Sequence, residues 1–163
     1  MIAAVLGALA LATASPATVR PCVGSQLAGS FRVVYGSAGA GNIVYALRLR
    51  NRSWRTCFVS GLAGLRLLGK TGRALPTRVT PAFRPGLTAV RVVLRPGQVA
   101  RADARFTPDV PGPGEPVGKQ CEPTAYRVRV RPPPGGGTLV APLSPPTPVC
   151  VHGRISLRAL SRA

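Results

Sequence analysis

Residues 43–50 read Ile-Val-Tyr-Ala-Leu-Arg-Leu-Arg, and this stretch decides how the fold is interpreted. From Ile43 to Leu49 every second residue is large and apolar, and Arg48 and Arg50 occupy alternate positions near its end. Successive side chains of a strand point to opposite faces of a sheet. The alternation therefore predicts a strand with one face in the core and an outer face that carries arginine.

Shorter segments of similar character lie on both sides of this strand. We predict further strands over residues 30–35, 54–59, 62–68, 73–79, 90–94, 99–106, 126–131 and 155–159. The chain has 19 glycines and 18 prolines, which punctuate it into short segments and break long helices. Proline- and glycine-rich stretches over 107–120 and 132–137 are predicted to be loops, and the proline-rich run 143–150 a connection. Seven to nine short strands without a long helical segment predict an all-β sandwich or barrel.

The first residues have the pattern of an export signal. Residues 1–12 are almost unbroken apolar, too short for a membrane span, and Ala12-Thr13-Ala14 matches a small-x-small cleavage site. We expect a signal peptide over 1–14, a leader over 15–29 and a single domain over 30–163, with the protein secreted or associated with the cell envelope. No Lys or Arg precedes the apolar run, and a buried N-terminal helix is the alternative. We predict no transmembrane span.

Export makes disulfides the expected state of the four cysteines, Cys22, Cys57, Cys121 and Cys150. Four cysteines allow three connectivities, and the sequence does not choose among them. Pairing in sequential order would close loops of about 30 to 36 residues. A zinc site is the weaker interpretation, because no two cysteines have the C-x₂₋₄-C spacing and His152 is the only histidine. We expect no metal and no cofactor.

The charge is strongly unbalanced, with 22 Lys and Arg against four Asp and Glu and a formal net charge of +18. Arg127, Arg129 and Arg131 alternate with apolar residues along one predicted strand, as Arg48 and Arg50 do along another. These five are the candidate anion-binding residues. If the two strands are neighbours, their guanidinium groups form a dense surface for phosphates or carboxylates. The alternative is that arginine only keeps the outer face of the sheet solvated.

Several stretches of the sequence resemble a known family, the secreted actinobacterial "domain of unknown function 4232". The resemblance rests on Cys22 with Leu27, the Gly36–Asn42 loop, residues 49–53 and 57–61, the turn segment 94–100, and the late pair Cys121 and Cys150. It covers about Pro21 to Leu160. It implies an exported, antiparallel, immunoglobulin-like β-sandwich held by two disulfides, often in lipoproteins or membrane-anchored proteins. The chain lacks the lipid-attachment cysteine, and Phe106 is the candidate for an aromatic residue that the family places after the Leu-x-Pro-Gly turn. The resemblance carries no activity and no functional residues.

The residues of this sequence offer little support for a catalytic site. The four carboxylates are Asp103, Asp109, Glu115 and Glu122. Asp103 lies between two arginines and is predicted to form an ion pair, while Asp109 and Glu115 are predicted to be solvated. His152 precedes a glycine and is predicted to be a turn residue. The Gly36–Gly41 loop lacks the lysine and the following helix of a phosphate-binding loop.

We therefore expect a non-enzymatic binding module that meets an anionic cell-wall polymer or an acidic protein. Specific nucleic-acid binding is not expected, because such proteins add stacking aromatics to a basic groove and the aromatics here, Tyr35, Tyr45, Trp54 and Tyr126, are predicted to point inward or lie in turns. A structural or protein-interaction domain without a charged ligand is the alternative, and a hydrolase that uses His152 or Asp103 is the remote one. The oligomeric state is left open.

Overall fold

The computed structural model describes residues 18–83 and 90–163, and these residues form twelve strands. The strands are β1 Arg20–Pro21, β2 Leu27–Val33, β3 Ile43–Asn51, β4 Cys57–Ser60, β5 Gly64–Leu68, β6 Arg78–Pro81, β7 Arg91–Leu94, β8 Val99–Phe106, β9 Ala125–Arg131, β10 Leu139–Thr147, β11 Arg154–Leu157 and β12 Ser161–Arg162. A short 3-10 turn over Gly24–Gln26 joins β1 to β2.

Strand β3 lies in the middle of the main sheet, between β2 and β8, and pairs antiparallel with both. Tyr45, Leu47 and Leu49 are buried, whereas Arg48 and Arg50 are exposed. The alternation read from residues 43–50 is confirmed. The side chains that face Tyr45, Leu47 and Leu49 from β8 are alanines, and this leaves room in the core for the ring of Tyr45 to pack against Phe31 and Phe106.

The main sheet has nine strands in the order β5-β9-β10-β2-β3-β8-β11-β6, with β12 also paired to β8. Its two ends, β5 and β6, follow one another in the chain. The segment between them holds these ends together, because Leu75 N–H donates to Leu67 O and Leu67 N–H donates to Thr77 Oγ1. The result is a nearly closed, barrel-like mixed sheet.

A second sheet, in the order β1-β4-β7, contributes Cys57, Val59, Val92 and Leu94 to the same core. Cys22, just after β1, is bonded to Cys57 of β4 with their Cα atoms 4.9 Å apart. The other disulfide joins Cys121 to Cys150. Both predicted disulfides are therefore present, in the sequential connectivity.

The strands do not form the expected immunoglobulin-like antiparallel sandwich. Three strand pairs, β1 with β4, β2 with β10 and β6 with β11, are parallel, and one sheet nearly closes on itself. The fold is mostly β, as predicted, but it is barrel-like rather than a clear sandwich of two sheets.

The proline-rich run 143–150 is not merely a connection, because most of it belongs to β10 in the middle of the main sheet. Proline lacks an N–H, so a central strand seldom tolerates it. Here the ladder is interrupted where the prolines fall. Pairing with β9 shifts register between Pro142 and Thr147, and pairing with β2 is limited to Leu143 and Ser144.

Other strand boundaries also differ from the predictions. Strand β2 begins at Leu27, three residues before the predicted start. The segment predicted over 73–79 yields only β6, which starts at Arg78 and pairs with β11. Strands β7 and β8 flank the predicted turn, yet they belong to different sheets.

The proposed signal peptide over 1–14 lies outside the described residues. Among the described residues, no helix has the length and apolar character needed to cross a bilayer. The two disulfides are compatible with export to an oxidising compartment.

Asn51, at the end of β3, is the polar side chain on which the adjoining turn depends. It is fully buried, its Nδ2 donates to Arg55 O and Leu94 O at 2.7 and 2.9 Å, and its Oδ1 accepts from the N–H and Oγ of Ser53. We predict that Asn51→Ala lowers the free energy of unfolding by about 2–3 kcal/mol, because buried polar partners lose their hydrogen bonds. Urea denaturation followed by circular dichroism measures this loss.

Asn42→Ala is the matched control, because the Asn42 side chain makes one exposed hydrogen bond, to Ala40 O. It should cost well under about 1 kcal/mol. Equal losses for the two variants would show that Asn51 does not have the role assigned to it.

Candidate anion-binding surface

The first arginine row lies on β9. Arg127, Arg129 and Arg131 are exposed, while Val128 and Val130 between them are completely buried. Strand geometry separates alternate residues by about 6.6 Å, so the three guanidinium groups begin from evenly spaced positions. On the neighbouring strand β5, Arg66 lies directly opposite Arg129 and adds a fourth charge to the same face. We call the three β9 residues the β9 row.

The second group lies on β3. Arg48 faces Ser30 of β2 on one side and Arg101 of β8 on the other, and Arg50 faces Ala28 of β2. A shallow depression of about 420 Å³ lies here. Its lining residues are Ala28, Gly29, Ser30, Arg48, Arg50, Gly97 and Val99. We call Arg48 and Arg50 the β3 pair.

The β9 row and the β3 pair are not on adjacent strands, because β10 and β2 lie between them. The condition for one dense guanidinium surface is therefore not met. The rows lie on the same outer face, three strand spacings or about 14 Å apart along the sheet. The outer face between them carries the short or uncharged side chains of Ala28, Ser30, Val140 and Pro142, and Arg32 is exposed at the next outward position of β2. We call this region, with its two flanking rows, the arginine-flanked strip.

Little negative charge offsets these arginines. Across residues 18–83 and 90–163, the Asp103 carboxylate makes the one ion pair with an arginine or lysine, accepting from Arg101 Nε at 2.8 Å. This confirms the predicted pairing of Asp103 with a neighbouring arginine. Two like charges about 6.6 Å apart repel by about 0.6 kcal/mol even at the dielectric constant of water. The face is thus left with a surplus of positive charge that an anionic partner would relieve.

Glu115 departs from its predicted solvation. It is only 8% exposed, and its carboxylate accepts hydrogen bonds from the backbone N–H groups of Gly112, Val151 and His152. Burial by itself raises the pKa of this carboxyl group. The three N–H donors and the nearby imidazole of His152 lower it by more, so the pKa falls to about 2.

The same carboxylate organises the turn that follows Cys150. Val151 and His152 both have left-handed backbone angles, with φ of 57° and 54°. Gly153 completes the turn where a Cβ atom would lie 2.0 Å from Pro76 O, so no larger residue fits. His152 is a turn residue, as predicted. The Cys121–Cys150 disulfide and Glu115 together tie the 107–124 loop to this turn.

His152 also lies beside two carboxylates. Its Nδ1 is 3.6 Å from Glu115 Oε1 and 3.6 Å from Glu122 Oε1, and its Nε2 is 3.1 Å from Pro113 O. Glu115 is already occupied by three N–H donors, which suits a structural role better than proton transfer or metal ligation. Sequence reasoning missed this cluster, although a Cys121–Cys150 pairing would have brought the acidic loop to His152.

The prediction that the aromatic residues point inward or lie in turns is wrong for Tyr126, which is exposed on β9. Tyr45 is buried, and burial raises the pKa of its hydroxyl, which donates to Pro145 O. Phe106 is also buried and packs on Tyr45. Tyr35 and Trp54 are exposed, and the guanidinium of Arg55 lies 4.3 Å from the centre of the Trp54 ring. Trp54 lies in the bend before β4 and not in the strand predicted over 54–59, and its ring is available to solvent.

The buried carboxylate leads to a prediction about acid stability. A carboxyl group with a folded-state pKa near 2 and an unfolded value of 4.5 stabilises the fold above pH 4.5, and this contribution is lost as the pH falls toward 2. Glu115→Gln should lower the free energy of unfolding by about 2 kcal/mol at pH 7, and the difference from the unmodified protein should shrink toward pH 2. Denaturant unfolding at several pH values between 7 and 2 measures it.

Asp109→Asn serves as the control because Asp109 is exposed in the same loop. It should leave stability and its acid dependence nearly unchanged. A pH-independent difference between Glu115→Gln and the unmodified protein would contradict the assignment.

Comparison with known proteins identifies the family of this chain. Residues 22–161 match the family model described as a domain of unknown function, DUF4232. No curated protein and no solved structure matches the chain. The matched range includes both disulfides and both arginine groups, and the chain therefore belongs to the DUF4232 family.

Proposed function

We propose that this protein is an exported, non-enzymatic binding module whose arginine-flanked strip holds an anionic polymer of the cell envelope. The observation that carries the proposal is a surplus of guanidinium groups without a carboxylate partner among the described residues, on the outer face of the sheet where Arg127 donates only to the backbone oxygen of Lys70. The β9 row and the β3 pair border a strip of mostly short side chains to which Arg32 of β2 adds a further positive charge, and no carboxylate of the described residues pairs with either group.

The chemistry of arginine favours phosphate or carboxylate groups as ligands. Guanidinium groups donate in a planar fork that matches these anions, and the interaction is strengthened by charge. Two parallel rows about 14 Å apart suit an extended, flexible polyanion better than a compact molecule. A compact acidic protein is the other partner class that such a face would accept.

Export supports the choice of an envelope ligand. Two disulfides and the apolar residues 1–12 are both typical of proteins that leave the cytoplasm. Outside the cytoplasm a basic module would meet anionic wall polymers and lipid headgroups before it met nucleic acid.

A protein-interaction role without a charged ligand is the second candidate. It is favoured by the exposed Trp54, which borders a groove of about 660 Å³ together with Arg20, Val23 and Arg55. Exposed Trp and Arg are common anchors of protein interfaces. Under this alternative the β9 row would be dispensable for binding.

Replacing the β9 row distinguishes the two candidates. We predict that Arg127→Gln/Arg129→Gln/Arg131→Gln loses most of its binding to long-chain polyphosphate and to isolated cell envelopes. The slope of log Kd against log salt concentration should fall by about two to three, since each phosphate contact contributes about 0.7–0.9 in nucleic acids. Fluorescence anisotropy over a salt series measures the slope.

The control removes the same charge elsewhere. Arg78, Lys119 and Arg154 are exposed and lie on none of the strands that form the strip, so the variant with all three changed to Gln should keep most of the affinity. If the two variants lose the same affinity, net charge alone accounts for binding. If neither loses any, the interaction does not depend on the arginine-flanked strip.

A further inference from the structure

A separate pocket lies between the outer faces of β3, β8 and β11, and the proposed polymer site does not use it. Its volume is about 360 Å³, and Val44, Phe83, Asp103, Arg105, Ser156 and Arg158 line it. Val44 is at the opposite end of β3 from the β3 pair. We call it the β8–β11 pocket.

The strand register explains why Arg105 and Arg158 reach the same space. Arg105 lies opposite Ser156 of β11 and opposite Val44 of β3. Arg158, just beyond β11, donates its backbone N–H to Asp103 O, so it lies across from Asp103 on the same face. Diagonal neighbours on a sheet face are about 7–8 Å apart, close enough for two long side chains to converge.

The Asp103 carboxylate lines this pocket but pairs with Arg101, which leaves Arg105 and Arg158 without a carboxylate partner among the described residues. Arg158 lies over Phe83, with its guanidinium carbon 5.0 Å from the ring centre. Within residues 18–83 and 90–163, neither Arg105 nor Arg158 forms an ion pair, and their side chains donate no hydrogen bond to another residue. Two guanidinium groups and the Ser156 hydroxyl are thus available to one ligand.

We propose that the β8–β11 pocket binds the terminal phosphoryl group of a phosphate monoester. A monoester phosphate carries close to two negative charges at pH 7, which match the two guanidinium groups, and its three free oxygens can accept from both arginines and from Ser156. The pocket is concave, so it favours a chain end or a small molecule over the middle of a polymer. The Phe83 ring and Val44 would contact the apolar part of the ester.

The test uses methyl phosphate as the probe and follows the backbone amide signals by ¹H–¹⁵N NMR. Methyl phosphate should shift the amides of Arg105, Ser156 and Arg158. Arg105→Gln/Arg158→Gln should weaken binding by about tenfold or more, since charge-assisted hydrogen bonds are lost. Arg73→Gln/Arg95→Gln, which removes the same charge outside the pocket, should weaken it by no more than about twofold. Unchanged thermal unfolding of both variants verifies that they fold.

Equal affinities of the unmodified protein and Arg105→Gln/Arg158→Gln would overturn the proposal. So would binding of dimethyl phosphate as tight as that of methyl phosphate, since the diester has one charge and two free oxygens. Vesicles of phosphatidylcholine with and without phosphatidic acid identify the source. If retention on phosphatidic acid depends on the two arginines, the ligand is a lipid headgroup; if methyl phosphate binding alone depends on them, it is a soluble monoester. Loss of the polyphosphate site would leave these results unchanged.

Discussion

The structure depends on one constraint, which is that apolar and arginine residues alternate along its central strands. Valines at 128 and 130 fill the core, so the β9 arginines between them must point outward. The same holds for Arg48 and Arg50 beside Leu47 and Leu49 on β3. A slip of one residue in either strand would bury arginine and expose the core, so the register is strongly fixed. Folding itself therefore creates the cationic face.

Small side chains in the core and two disulfides stabilise the sheet that carries this cationic face. Ala100, Ala102 and Ala104 line the inner side of β8, and their small size lets the rings of Tyr45 and Phe106 pack across the sheet. The two disulfides close loops with sequence separations of 35 and 29 residues. In the chain-entropy description each contributes roughly 3.5–4 kcal/mol, which offsets repulsion among the outward arginines. A fold that is cross-linked by two disulfides can tolerate a surplus of positive charge that a marginally stable fold could not.

The sequence predicted what is local and missed what is long-range. Strands β3 and β9 were predictable because their alternation lies within single segments, and the ion pair of Asp103 because Arg101 is two residues away. Strand β10 was missed because its prolines argue against a central strand, and only its neighbours show where the ladder can be interrupted. Three features depend on contacts between residues that are distant in the sequence, and the periodicity of a segment does not encode such contacts. They are the near closure of the sheet, the separation of the arginine groups by β10 and β2, and the three backbone hydrogen bonds to Glu115.

The most direct test of the account is the thermal unfolding midpoint of the unmodified protein, measured over a salt series with and without long-chain polyphosphate. If unpaired arginines repel one another across the outer face, the midpoint should rise with sodium chloride at low ionic strength, because screening weakens that repulsion. At a fixed low salt concentration it should rise further with polyphosphate, because a ligand that binds the folded state stabilises it. A midpoint that neither salt nor polyphosphate raises would contradict the claim that the cationic face is unpaired and available.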